Sequence, residues 1–442
     1  MTHSPLLKGI RGSILTYKAD PFLTDNKTDC YDYLADGLIV IADGKIEAVG
    51  EYADIAGRYP GIAETERYED ALIMPGFIDC HVHYVQTGMT ASYGDRLLDW
   101  LNRYTFPTEE RFADRGYAEE VARRFFDAIL SHGTTTANVF CTTYPVSVDT
   151  FFEESERRGT RMIAGKVLQD RNVPETLRDA SPEESVRQAE ELLLKWHGRG
   201  RQLYAVIPRF APTCSPEQLR LAGELYRKYR DRGVYLHTHL DEAEPEIKWV
   251  RELFPEAENY TDVYRRYGLT ADRSVFAHCC IVTEKEWQTL HDCGCGVAHC
   301  PCSNLFLGGG QFKWWEAKKR LRPVRTGMGT DVAGGATFSI PRNLGEAYNV
   351  GMLRARSLDA LHGWYLATRG GAEALRLEDK IGSIAQGYEA DLAVVNLRPD
   401  DYTSWRMEGT EDIFEKLFIL QTLAPDNLVK ATYVAGRKVY GD

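Results

Sequence analysis

Pro75-Gly76-Phe77-Ile78-Asp79-Cys80-His81-Val82-His83 closes an apolar run on two histidines spaced two apart. In a β-strand, residues i and i+2 share a face, so His81 and His83 can turn both imidazoles to one side and grip one metal ion. A lone His-x-His equally fits a strand end with solvent-facing rings. The rest of the chain separates the two readings, because His239, His278 and Asp331 each end a short apolar stretch of their own.

Apolar runs recur at 76–83, 134–140, 161–167, 203–209, 234–239, 274–278, 296–300 and 324–330. Between most of them lie helical patterns with clear start signals. Ser181-Pro-Glu-Glu184 and Ser215-Pro-Glu-Gln218 each combine an N-cap serine, a first-turn proline and a capping acid or amide, and Thr283 with Glu286 forms another such pair. This alternation predicts an α/β fold, a (β/α)8 TIM barrel. A doubly wound open sheet would alternate too. It would not gather four strand ends, the first, fifth, sixth and eighth, at one place, whereas a barrel does.

The flanks read differently. Two strand-like runs, 37–42 and 45–49, are joined by Asp43-Gly44, a hairpin signal. The C-terminus repeats the texture at 391–395 and in a hairpin turning at Gly436. The predicted organisation is therefore a small β-sandwich domain built from both chain termini, 1–75 and 381–442, around a metal-dependent barrel spanning 76–380.

At 442 residues, with 43% hydrophobic and 27% charged residues, the chain reads as an ordinary globular protein. A formal net charge of −12 without a basic stripe argues against nucleic acid as partner. No stretch approaches the roughly 18 apolar residues of a membrane span, and Met1 to Lys8 show no apolar leader. Ten scattered cysteines are expected as reduced thiols in a cytoplasmic protein. The cluster Cys293, Cys295, Cys300 and Cys302 lacks common structural-zinc spacing and overlaps a predicted buried strand.

Neutral imidazoles and a carboxylate suit a borderline divalent metal such as zinc, with a position left for water. Such a metal lowers the pKa of water toward neutrality. Asp331 can both ligate and accept the water's proton. Glu242 stands three residues after His239, where a carboxyl can reach the open side of the metal and shuttle a proton. Asp241 and Glu244 beside it are read as surface loop acids, and His237 and His299 as supporting or packed histidines. A two-metal site would want a bridging ligand at the end of the fourth strand. Arg209 stands there, so one metal per chain is expected.

These residues carry a resemblance. His81-x-His83, His239, His278, Asp331 and the closing stretch 381–394 resemble the amidohydrolase superfamily across nearly the whole chain. Gln86, Pro208-Arg209-Phe210, the loops 98–106 and 303–310, and Gly329 to Gly335 are similar to its guanine-deaminating branch. The resemblance implies zinc, one per chain, on His81, His83, His239 and Asp331. It implies Glu242 as proton shuttle and His278 as the group orienting the attacking water. Gln86 and Arg209 would read the purine edge, with the Phe210 backbone and ring holding the base. The implied reaction is hydrolytic deamination of guanine, a small-molecule substrate, to xanthine and ammonia, and a homodimer is the expected assembly. The alternatives are an aminohydrolase or chlorohydrolase acting on another purine, a pterin or a triazine, or a non-catalytic barrel used as a scaffold. Cys302 and the run Ala243-Glu244-Pro245 depart from the expected pattern close to the pocket.

Overall fold

The computed structural model describes residues 7–94 and 97–441. Met1–Leu6, most of the stretch read for a leader, lie outside the described residues. All eight predicted barrel strands are present: β1 (Phe77–His83), β2 (Thr134–Phe140), β3 (Arg161–Gly165), β4 (Leu203–Pro208), β5 (Tyr235–Leu240), β6 (Ser274–His278), β7 (Gly296–His299) and β8 (Arg325–Met328). They pair in parallel in chain order, from β1 through β8. Backbone bonds past the end of β8 join it to β1. The Asp331 amide donates to the His81 carbonyl at 2.9 Å, and the His83 amide to the Val332 carbonyl at 3.2 Å. The same bonds carry Asp331 to the two histidines.

Two helices frame the site, α1 (Phe106–Glu110) in the connection after β1 and α2 (Glu244–Leu253) after β5. The sequence start signals work as read. Ser181 and Ser215 accept from the amides of Glu184 and Gln218, and Thr283 forms a reciprocal capping box with Glu286.

The small β domain drawn from both termini is a seven-stranded mixed sheet. Its order is Arg437–Tyr440, Val429–Val434, Leu392–Asn396, Ile62–Pro75, Leu7–Tyr17, Tyr31–Ala42 and Lys45–Glu51. The predicted hairpin turn holds Asp43 at φ 49° and Gly44 at φ 77°, the left-handed pair this tight turn requires. The C-terminal stretch is less purely β than its texture suggested, because helices Asp401–Arg406 and Ile413–Leu423 interrupt it. Leu417 and Leu420 of the second helix pack with Leu15, Tyr17, Leu72 and Met74 of the sheet and Leu344 and Trp364 of the barrel's outer layer. Strand Ile62–Pro75 runs through Gly76 directly into β1. A Cβ at Gly76 would meet Thr135 Oγ1 at 2.2 Å, so only glycine lets the chain cross there. Among the described residues, no helix is long and apolar enough to cross a membrane.

Candidate active site

Strands β1, β5 and β6 bring their last residues to one end of the barrel. The β5–β6 register pairs His239 with Ala277 and Leu240 with His278, so the two histidines emerge side by side. Every residue assigned to the site from sequence, apart from His81, lines one cavity: His83, Gln86, Arg209, Phe210, His239, Glu242, His278 and Asp331. His81 lies directly behind it, fully buried. The empty space of the cavity, counting its open mouth, is about 430 Å³.

The donor atoms fit a metal. His81 Nε2 and His83 Nε2 lie 3.1 and 3.4 Å from Asp331 Oδ1, and His83 Nε2 lies 3.2 Å from His239 Nε2. A tetrahedral ion about 2.0–2.1 Å from each ligand sets its ligand atoms about 3.3 Å apart. The tautomers agree. His239 Nδ1 sits 2.7 Å from the Arg209 carbonyl, which can only accept, so Nδ1 carries the hydrogen and Nε2 presents a bare lone pair. His81 Nδ1 is 2.9 Å from His237 Nε2, and His81 Nε2 has no hydrogen-bond partner among the described residues. His237 is thus a supporting histidine. His299 stacks on Phe312 at 4.4 Å and is a packed one.

Glu242 and His278 face each other across the opening. His278 Nε2 lies 3.5 Å from Glu242 Oε2 and 3.8 Å from Asp331 Oδ2. The Asn304 amide nitrogen lies 3.0 Å from His278 Nδ1. With that amide donating, the His278 hydrogen sits on Nε2 and points into the site. Ser303 donates to Asp331 Oδ2 at 2.6 Å, which leaves Oδ1 for the histidine side. A Cβ on Gly334 would meet Ser303 Oγ at 2.6 Å and Asp331 Oδ2 at 3.1 Å, so this loop closes over the pair only as glycine. The backbone of Glu242 is pinned from two sides. Its amide donates to Glu246 Oε2 of α2 at 3.0 Å, and its carbonyl accepts from the Gly310 amide at 2.8 Å.

The opposite wall is polar and buried. Arg209, 3% exposed, donates from Nη1 to Glu109 Oε2 of α1 at 2.7 Å. Gln86 donates from Nε2 to Glu109 Oε1 at 3.1 Å and accepts from the Ala333 amide at 3.3 Å. Phe210 follows on the same wall, its ring 6.2 Å from that of His239.

Burial sets the charge states. It lowers His81 and His239 to about 3 and His83, His237 and His278 well below the usual imidazole value, so the rings are neutral, as ligands must be. Glu242 is pushed up by burial first, then by the charges of Glu246 and Asp331; burial likewise raises Glu246 to about 7. The imidazoles have a consequence for the metal-free protein. Between pH 6.5 and about 3 the unfolded chain binds protons that the folded rings refuse. Stability is therefore complete above 6.5 and is lost as the pH falls, roughly tenfold in the folding constant per pH unit for each ring. Raised carboxyls such as Glu246 and Asp79, both about 7, oppose this above pH ~4, since they lose stability as the pH rises. Below that they are protonated in both states and the rings act unopposed. The denaturation midpoint of chelator-treated protein should accordingly fall most steeply below pH ~4; a midpoint unchanged between about pH 4 and 3 would contradict neutral buried imidazoles.

Several contributors escaped the sequence reading. Asp79, two residues before His81, accepts from the amides of His81 at 3.2 Å and Thr330 at 3.0 Å, and from the Thr330 hydroxyl. It ties β1 to the residue before Asp331. The ring of Phe140, which ends β2, lies 4.5–5.2 Å from those of His81, His83, His237 and His239 and forms their apolar floor. Phe140 was legible as an aromatic residue closing its strand, whereas Asp79, inside β1, carried no local signal of its distant partner. Asp241 is a correction: read as a surface acid, it is 2% exposed, because the chain turns inward at φ 51° there and its carbonyl accepts from the amides of Cys280 and Ile281. Glu244 is exposed as expected. All ten cysteines are unpaired, and among the described residues the groups able to hold a metal contain none of them.

A parallel barrel with histidines and an aspartate at its strand ends defines a metal-type hydrolase scaffold, and the family comparison agrees. The amidohydrolase family profile matches residues 72–439, and the chain belongs to that family. It is 43% identical over 443 residues to guanine deaminase of Escherichia coli (strain K12), covering 100% of this chain and 99% of the relative. The crystal structure of guanine deaminase from Bradyrhizobium japonicum superposes with a TM-score of 0.95 at 34% identity, covering 99% of this chain and 100% of the other. Guanine deaminase from C. acetobutylicum, crystallised with guanine in its active site, gives 0.86 at 27% identity, covering 98% and 100%.

Proposed function

We propose that this protein is a zinc-dependent enzyme that hydrolyses guanine to xanthine and ammonia. The observation that carries the reading is the convergence on one cavity of a metal-type donor set, a buried carboxyl at Glu242 and a buried guanidinium at Arg209. The relatives supply the substrate, since full-length similarity runs to guanine deaminases.

His81, His83, His239 and Asp331 would hold zinc, whose donor preference these nitrogens and this oxygen match. When bound, zinc supplies a Lewis acid that makes water a competent nucleophile near neutral pH. Glu242 takes the proton of the attacking water and passes it to ring nitrogen N3, which makes C2 electrophilic. His278 donates from Nε2 and orients that water's oxygen. Asp331 holds the second proton. Transfer of a proton to the exocyclic amine lets the C2–N bond break, ammonia leaves, and C2 becomes a carbonyl. Arg209 donates to O6 of the base, Gln86 both donates and accepts along the same edge, and the Phe210 ring and backbone hold the purine plane.

The same reading includes the division into a barrel, 76–380, and a small domain from 1–75 and 381–442. It extends to a homodimer, the assembly the family resemblance implies. A reducing, cytoplasmic setting is supported by ten unpaired cysteines.

Arg209 gives the test. Guanine offers an acceptor at C6, whereas the 6-amino group of 2,6-diaminopurine would meet the guanidinium donor to donor. An unpaired buried donor costs about 1–3 kcal/mol, or roughly ten- to a hundredfold in selectivity. Wild-type enzyme should favour guanine over 2,6-diaminopurine by that margin in kcat/KM. Arg209→Ala should raise KM for guanine and shrink the ratio. An unchanged ratio would reduce Arg209 to a wall residue paired with Glu109.

A further inference from the structure

Arg209 and Gln86 sit on separate connections, after β4 and β1, yet a single carboxylate joins them. Glu109 is 1% exposed and does not line the cavity. Its two oxygens are divided, Oε2 accepting from Arg209 Nη1 at 2.7 Å and Oε1 from Gln86 Nε2 at 3.1 Å. Helix α1 adds a second contact from the same face. Phe106, three residues earlier, places its ring 5.6 Å from the Arg209 guanidinium carbon. We propose that Glu109 is the positioning residue for base selection, holding Arg209 and Gln86 as one array that presents donors to a 6-oxopurine.

This inference rests on the guanine reading and deepens it. The logic is one of donor and acceptor polarity. The Ala333 amide can only donate, so it fixes the Gln86 oxygen toward itself. Glu109 accepts, so the Gln86 amide nitrogen must turn toward α1. The two contacts together set which way the Gln86 amide faces, and with it the pattern offered to the base. Glu109 also balances the buried Arg209 cation, which suits the wall to a neutral ligand.

Glu109→Gln keeps the shape and breaks the polarity. Its oxygen can serve Arg209, but its nitrogen then faces the Gln86 nitrogen donor to donor. Flipping Gln86 only moves the clash to the Ala333 amide. The experiment is steady-state kinetics of wild type, Glu109→Gln, Arg209→Ala and the double variant on guanine and 2,6-diaminopurine, with metal content and melting temperature alongside. We expect Glu109→Gln to raise KM for guanine about tenfold or more and to shrink the guanine preference by a similar factor. Its kcat should change less than about threefold and its metal content not at all. In the Arg209→Ala background the preference should no longer respond to Glu109→Gln. A fall in kcat at constant KM, an unchanged preference, or full additivity with Arg209→Ala would overturn the role. If Glu109→Gln does not fold, Glu109→Asp decides, because it keeps both acceptors and the charge but draws them back from Arg209 and Gln86. A folded Glu109→Asp enzyme with a weakened guanine preference and little-changed kcat supports the array; one with an unchanged preference overturns it. Wild type that releases no ammonia from guanine overturns the proposed function itself, whereas an unchanged preference in an active variant overturns only Glu109.

Discussion

Glu242→Gln should keep its full metal content and lose about 10²–10⁴-fold in kcat on guanine, the usual contribution of a general acid–base group. The loss belongs at the upper end, because one carboxyl serves both the attack and the departure of ammonia. The substitution is close to isosteric. The backbone of residue 242 is held by Glu246 and Gly310, independently of its own carboxyl, so the loop should stay in place. The ligand atoms of His81, His83, His239 and Asp331 make their spacing without Glu242. Paired measurements of kcat and bound metal check this. Near wild-type turnover would remove Glu242 from the chemistry, and lost metal would make it a ligand instead.

Chelation should remove one zinc per chain and bring ammonia release down to the blank, and one equivalent of zinc should restore it. The number follows from the donor set. His81 and His83 each lie 3.1–3.4 Å from Asp331 Oδ1, His239 lies 3.2 Å from His83, and Asp331 Oδ2 is already taken by Ser303; His81 belongs to both metal-capable triads, with His83 and His239 and with His278 and Asp331. The end of β4, where a bridging ligand would stand, holds Arg209 paired with Glu109. Metal analysis against titrated activity decides it. Two metals per chain, both needed for turnover, would contradict a mononuclear centre. Activity that survives complete removal would contradict a metal role altogether.

The barrel was legible because each strand writes its own local signature. A run of four to seven apolar residues needs no partner to be seen, and the histidines at the ends of β1, β5 and β6 stand out against it. The Asp43-Gly44 turn is local in the same way. What stayed hidden depends on residues distant in the chain. Glu109 meets Arg209 across 100 positions and Asp79 meets Thr330 across 251. In sequence each is an acid like any other. Asp241 misled for the same reason, since a loop acid turned inward by a left-handed residue looks identical to one in solvent. Helix Ile413–Leu423 was masked by its mainly apolar run, which periodicity alone does not separate from a buried strand.

The most direct measurement is ammonia release, with product identification, from guanine beside a panel of other aminopurines, pterins and triazines. Guanine should show the highest kcat/KM, with one xanthine and one ammonia formed for each guanine consumed. A pterin, triazine or different purine turned over more efficiently than guanine, or no release from any of them by the zinc-loaded enzyme, would contradict it.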